Sequence, residues 1–183
     1  MLVLTIQKKE VIDKIYKGSY RVNMWKSEYA FASPRFTKGY NIIKSNLVRK
    51  TGSFMLTSDS CYWGWVCNPF YSFFDLKRMY NEYYAVFVDI PEEELVLSDY
   101  DKYTSFVLEE SDSEDFMVEE VLPGDTRCIQ CSFKELNPED IVFISDISIL
   151  SDIEGDISSV YLKSALRLQW FRLSRNSVEC KVV

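Results

Sequence analysis

Short apolar runs rich in β-branched and aromatic residues constrain the fold of this chain more than any other feature of its sequence. Each run is too short for a long buried helix, so each predicts a strand. The runs are 2–6, 61–67, 85–90, 128–133 and 141–144. Leu95, Val96 and Leu97 either extend the third run or begin another strand. The sequence therefore predicts a β-sheet at the centre of the protein.

Helical spacing appears in fewer places. Val11, Ile12, Ile15 and Tyr16 recur at helical intervals before Gly18. Ser33 and Pro34 form a capping signal for a longer amphipathic helix with one basic face, which Gly52 ends. Further helices are predicted at 75–83, from Ser98 to about 108, and at 158–176.

Together these patterns predict an α+β fold: a small mixed or antiparallel sheet with the N-terminal helices packed on it. At 183 residues the chain suits a single domain, 1–183, that ends in the helical extension 158–176. No run of about 18 apolar residues and no signal-peptide pattern is present, so we expect no membrane segment and a cytoplasmic location.

Cysteine and histidine content restricts the available chemistry. The five cysteines are irregularly spaced, which argues against a disulfide framework. A zinc site built from Cys61, Cys67, Cys128 and Cys131 is one alternative, but thiols three apart on a strand point to opposite faces, which favours buried, inert thiols. The chain has no histidine. A histidine-based triad, base or metal ligand is therefore excluded.

Charge is strongly segregated along the chain. The net charges of 1–50, 51–160 and 161–183 are +8, −19 and +4, in agreement with the overall −7. Either these segments pair with each other across the fold, or the basic part attracts a phosphate-bearing small ligand. An acidic chain is a poor general binder of nucleic acid. The acidic stretches 109–120 and 146–156 are predicted to be solvated loops.

Polar and aromatic residues at strand ends are candidates for a binding site. Thr5 and Gln7 close the first strand just before a helix, where they either meet a ligand or cap that helix. Arg21, beside Tyr20, suits recognition of a phosphate. Trp63 and Trp65 share one face of a strand around Gly64, and they either stack on a ring or belong to the core. Gln130 lies opposite in parity to its apolar neighbours, on a surface or in a pocket.

Several motifs occur in the order found in an uncharacterised bacterial family, which residues 1–145 resemble. The motifs are Thr5-Ile6-Gln7, Gly18-x-Tyr20-Arg21, Trp63-Gly64-Trp65, Phe74-Asp75-Leu76-Lys77, Leu97-Ser98-Asp99-Tyr100-Asp101 and Ile129-Gln130-x-x-Phe133. This family implies no established activity.

A more distant resemblance is to ADP-ribosyltransferase domains, which consume NAD. It implies an ADP-ribosyltransferase-like fold and transfer of ADP-ribose to a macromolecule. It further implies catalytic roles for Gln130 and Thr5 and NAD contacts for Gln7, Tyr20, Arg21, Trp63 and Trp65. Two departures stand against activity: the first-strand histidine is absent, and Gln130 supplies no negative charge.

All of these roles require that Thr5, Arg21, Trp63 and Gln130 face one shared pocket. The alternative is a non-catalytic acidic interaction protein, such as an inhibitor or a phage- or plasmid-borne accessory factor, with a protein target. An RNA-binding module is a weaker third hypothesis.

Overall fold

A seven-stranded antiparallel sheet forms the centre of the protein in the computed structural model, which describes residues 1–18, 20, 22–23, 33–56, 59–67, 82–122 and 125–147. The strand order is β5-β4-β6-β2-β1-β3-β7, so the first strand lies in the interior of the sheet between β2 and β3. The strands are β1 (Leu2–Lys8), β2 (Tyr62–Cys67), β3 (Tyr83–Asp89), β4 (Val96–Asp99), β5 (Met117–Val118), β6 (Ile129–Phe133) and β7 (Ile141–Asp146). The predicted α+β class and strand positions are confirmed.

Three helices within the described residues pack on this sheet: α1 (Lys9–Tyr16), α2 (Pro34–Thr51) and α3 (Tyr100–Val107). Short 3-10 turns occur at Glu92–Glu94 and Pro138–Asp140. The capping signals predicted for α2 are confirmed, because the Ser33 hydroxyl accepts a hydrogen bond from the Phe36 N–H and Gly52 ends the helix with a φ of 64°.

Two helix predictions need correction. Ser98 does not cap α3, because Ser98 belongs to β4 and the Asp99 carboxylate accepts from the N–H groups of Asp101 and Lys102. Of the helix predicted at 75–83, Tyr83 begins β3 instead, and 75–81 lie outside the described residues. The predicted helix 158–176 lies outside them too.

The sheet has two differently covered faces, and side chains alternate between them along each strand. On the first, which we call the α1 face, Ile12 and Ile15 of α1 pack on a core that includes Val3, Tyr62, Val86, Cys131 and Phe133. On the second, the α2 face, α2 and α3 pack on Trp63, Val96 and Met117 through Ile43, Leu47, Tyr103, Phe106 and Val107.

Part of the acidic stretch 109–120 is anchored to the helices. Phe116 is fully buried in the α2-face core, and Met117–Val118 form β5. The carboxylates of Asp112, Glu114 and Asp115 pair with Arg35, Lys38 and Lys102. The pairs of Arg35 and Lys38 therefore confirm pairing between the basic segment 1–50 and the acidic segment, whereas Lys102 belongs to the acidic segment itself. The second acidic stretch lies almost wholly outside the described residues.

Within the part of the chain that the structure describes, no helix is both long and apolar enough to cross a membrane.

Candidate functional site

The predicted site residues do not share one pocket. Strand pairing places Leu4 opposite Trp65 and Trp65 opposite Gln130, so Trp65 and Gln130 lie on the α2 face. Thr5 follows Leu4 and therefore projects from the α1 face. The expectation that Thr5 and Gln130 face a common ligand is wrong, because the two side chains lie on opposite sides of the sheet.

Thr5 and Gln7 form a local hydrogen-bonded pair on the α1 face. The Thr5 hydroxyl donates to the Trp63 carbonyl at 2.6 Å and accepts from Gln7 Nε2 at 2.7 Å. Neither residue caps α1, whose N-cap is Lys8 and has no side-chain cap bond. The bond to the Trp63 carbonyl joins β1 to β2, so the structure gives Thr5 a role in holding the sheet together.

Tyr20 also belongs to the α1 side of the molecule. Its ring packs against the α1-face core, and its carbonyl accepts a hydrogen bond from the Tyr62 hydroxyl at 2.5 Å. Arg21 lies outside the described residues, so its proposed contact with phosphate stays a prediction.

Gly64 does not leave room for a ligand. A Cβ at this position would lie 2.4 Å from Val3 Cγ1, 2.9 Å from the Leu4 carbonyl oxygen and 3.5 Å from Cys131 Sγ. The space beside Gly64 is therefore filled by the α1-face core. Glycine is required here by close packing of β1 on β2.

A group of polar side chains lies instead on the α2 face, and we call it the polar patch. One row across the sheet runs from Ser98 on β4 through Gln130 on β6 to Trp65 on β2. The next row holds Ser132 opposite Trp63. Side chains opposite each other on neighbouring strands are about 5 Å apart at Cβ, so these five residues form one continuous patch.

The centre of the polar patch is deeply buried. The exposed fractions of Gln130, Ser98 and Ser132 are 4%, 1% and 0%. Gln130 Nε2, Ser98 Oγ and Trp63 Nε1 make no hydrogen bond to any residue that the structure describes. Each buried polar group left in this state costs about 1–3 kcal/mol. Such groups are rare in folded proteins, and several together on adjacent strands point to a site.

Ser132 has only a weak polar neighbour. Its hydroxyl makes no hydrogen bond of normal geometry among the described residues but faces the thiol of Cys61. Burial raises the pKa of Cys61 to about 11, and the Ser132 hydroxyl acts in the opposite direction. The thiol therefore stays protonated at neutral pH and is not a nucleophile.

Aromatic rings border the polar patch on the side of α2 and α3. The Trp63 ring has centroid distances of 5.3 Å to Tyr40 and 5.5 Å to Tyr103. The Trp63 ring therefore packs against both helices. Trp63 is partly exposed, as is Trp65, which lies directly beside Gln130. The patch thus reaches the surface along β2.

The described cysteines do not form a metal site. Cys61, Cys128 and Cys131 are free and buried, which agrees with the preferred prediction of inert thiols. Cys61 belongs to the α2-face core and Cys131 to the α1-face core, so the sheet separates them. Among the residues that were described, no group of metal-ligating side chains is close enough to hold an ion.

Two cavities are described, and neither reaches the polar patch. The larger, of about 510 Å³, is lined by α2 alone, from Pro34 to Asn46. The smaller, of about 430 Å³, lies between α2 and Met55. Both are open grooves along α2, and none of their described lining residues has an unpartnered buried polar atom.

Comparison with protein-family models, curated proteins and solved structures finds no match. Sequence analysis identified Gln130, Trp63 and Trp65 but missed Ser98 and Ser132. Ser132 could have been found, because it lies two residues after Gln130 and shares its parity in an otherwise apolar strand.

Proposed function

We propose that this protein binds a small ligand rich in hydrogen-bond acceptors at the polar patch, with NAD as the first ligand to test. The observation that supports the proposal is the cluster of buried side-chain donors without partners at Gln130, Ser98 and Trp63. A ligand acceptor placed against them would remove their desolvation cost.

Natural cores rarely keep such groups without a use. Replacing Ser98 by alanine or Gln130 by leucine would remove the cost outright, and stability alone would favour those residues. Local departures from good packing chemistry occur mainly at functional sites. The polar patch breaks this rule at three residues on adjacent strands, which supports binding as its purpose.

ADP-ribose transfer, with the ADP-ribosyltransferase-like fold that the resemblance implies, is the narrower form of this proposal. In that form Gln130 would hold the ribose next to the bond that breaks. Thr5 would act only through the β2 backbone, because its side chain lies on the α1 face. The two rows of the patch contain no carboxylate to stabilise a developing cation. Binding of the ligand is therefore better supported than transfer of ADP-ribose.

Thermal unfolding with and without NAD tests the proposal. At ten times the Kd, ligand linkage contributes about 1.4 kcal/mol, which raises the Tm of a chain of this size by about 3–6 °C. We expect Gln130→Leu to abolish the shift. Gln7→Leu is the matched control, since Gln7 is a glutamine on the opposite face of the same sheet, and it should keep the shift.

Two results would overturn the proposal. The first is the absence of any Tm shift at millimolar NAD for the wild type, with no heat of binding in calorimetry. The second is loss of the shift in Gln7→Leu but not in Gln130→Leu, which would move the site to the α1 face. Release of nicotinamide from NAD, measured in the same samples, decides between binding and transfer.

An interaction function through the acidic stretch receives less support. Its carboxylates at Asp112, Glu114 and Asp115 are already paired with cations of α2 and α3. A protein partner attracted by this charge would have to displace those pairs.

A further inference from the structure

The polar patch combines hydrogen-bond donors with a lack of charge. We infer, on the basis of the proposed function, that it receives the neutral, planar edge of an amide-bearing ring or nucleobase, and that any phosphates of the ligand lie outside it. The ring or nucleobase edge is thus the part of the ligand that contacts the polar patch.

The unpartnered side chains of the polar patch are hydrogen-bond donors. An indole N–H can only donate, and the amide nitrogen of a glutamine donates twice. A hydroxyl can also donate. The unpartnered atoms Trp63 Nε1, Gln130 Nε2 and Ser98 Oγ therefore present donors and call for acceptors on the ligand. Carbonyl oxygens and ring nitrogens are such acceptors.

The polar patch itself has no positive charge to attract a phosphate. No residue in the two rows of the patch carries a charge. Two cations described on the adjacent helices are engaged elsewhere: Lys44 Nζ donates to the carbonyls of Leu56 and Asp59, and Lys102 pairs with Asp115. A phosphate brought among residues as buried as Gln130 would lose its hydration, and no residue in the two rows of the patch would supply a counter-ion.

The row that crosses three strands has the length of a ring system. Ser98, Gln130 and Trp65 lie on three consecutive strands, about 4.8 Å apart. The row therefore extends over roughly 10 Å, the length of the edge of a one- or two-ring system. Ser98 and Gln130 are buried and Trp65 is partly exposed, so a ring would enter at the β2 end of the row.

Fragments of nucleotides test the ring end and the phosphate end of the ligand separately. We expect nicotinamide or adenosine, both uncharged, to raise the Tm of the wild type when present at millimolar concentration. Ribose 5-phosphate and pyrophosphate should leave it unchanged. Gln130→Leu and Ser98→Ala should each weaken fragment binding at least fivefold in calorimetry, whereas the control Gln7→Leu should not.

The pattern of binding distinguishes failure of this inference from failure of the proposed function. Binding of pyrophosphate or ribose 5-phosphate, without binding of either ring fragment, would overturn this inference while NAD binding itself could stand. Binding of a ring fragment without NAD would support the inference and reject NAD as the ligand. If neither NAD nor any fragment binds, the proposed function and this inference both fail.

Discussion

At the scale of single residues, two buried hydroxyls of the same sheet show opposite behaviour. Thr5 donates to the Trp63 carbonyl and accepts from Gln7. Ser98 is equally buried but has no hydrogen-bond partner among the described residues. Whether a buried hydroxyl stabilises the native state depends on whether it has a hydrogen-bond partner. Removal of the two hydroxyls should therefore change the free energy of unfolding differently.

We expect Ser98→Ala to leave the free energy of unfolding unchanged or to raise it by about 1 kcal/mol, because an unsatisfied polar group disappears. Thr5→Val should lower it by about 1–3 kcal/mol, because the Gln7 amide and the Trp63 carbonyl both lose a partner. Urea denaturation of the ligand-free protein measures both values.

An equal loss in the two variants would contradict this contrast. It would mean that the Ser98 hydroxyl is hydrogen-bonded in the protein and that the polar patch is an ordinary part of the core. A gain in stability together with weaker NAD binding in Ser98→Ala would be the strongest support for a site.

The residue types of the candidate site could be predicted from the sequence, but their grouping could not. Parity within a strand correctly placed Trp63 with Trp65 and separated Gln130 from its apolar neighbours. Whether Gln130 shares a face with Thr5 depends on the register of β1 on β2 and of β2 on β6. A shift of one residue reverses the face, and no local signal in the sequence sets that register.

At the scale of elements, local signals determined how well each boundary was predicted. Ser33, Pro34 and Gly52 are contiguous with α2 and act on its own backbone, so this helix was predicted closely. The start of α3 was missed by one residue because Ser98 and Asp99 are both good N-caps. Pairing of Ser98 with Gln130 and Met117 keeps Ser98 in β4 and leaves the cap to Asp99.

Close packing of α2 on α3 depends on Gly39. A Cβ at this position would lie 2.9 Å from Tyr103 Cε2 and 3.3 Å from Val107 Cγ1. The Tyr103 ring is itself packed against Trp63 and Phe116, at centroid distances of 5.5 and 5.3 Å. Any displacement of Tyr103 is therefore transmitted toward the polar patch.

Gly39→Ala should lower the free energy of unfolding by about 1–2 kcal/mol, because overpacking outweighs the better helix propensity of alanine. The control is Asn41→Ala, an exposed position of the same helix, where propensity alone should give a small gain of up to about 0.5 kcal/mol. Urea denaturation measures both. A gain for Gly39→Ala would show that α2 and α3 can separate without cost.

At the scale of the whole molecule, the sheet keeps several weak acids away from water. Burial raises the pKa of Cys61 to about 11, and burial is also the main cause of the raised pKa values of Cys131, Tyr62 and Tyr103. Cys61 and Tyr103 lie in the α2-face core, and Cys131 and Tyr62 in the α1-face core. The cores on both sides of the sheet therefore favour the protonated forms of these thiols and tyrosine hydroxyls.

This arrangement predicts a loss of stability in alkaline solution. In the unfolded chain the thiol of Cys61 loses its proton near its ordinary pKa of 9.0, whereas in the native state its pKa is about 11. Above pH 9 the native state thus binds more protons than the unfolded state. Stability is fully present below pH 9 and falls as the pH rises through 11. Cys61 alone should account for about 2–3 kcal/mol of this loss.

Urea denaturation at pH 7, 9 and 11 measures how steeply the free energy of unfolding falls with pH. Cys61→Ala should be less stable at pH 7, because it leaves a cavity, but its stability should fall less steeply between pH 9 and 11. Parallel pH profiles for the two proteins would mean that the Cys61 thiol meets water in the native state. In that event the α2-face core beside Ser132 would be open to solvent. The unpartnered donors of the polar patch could then bind water, and their desolvation cost would be smaller.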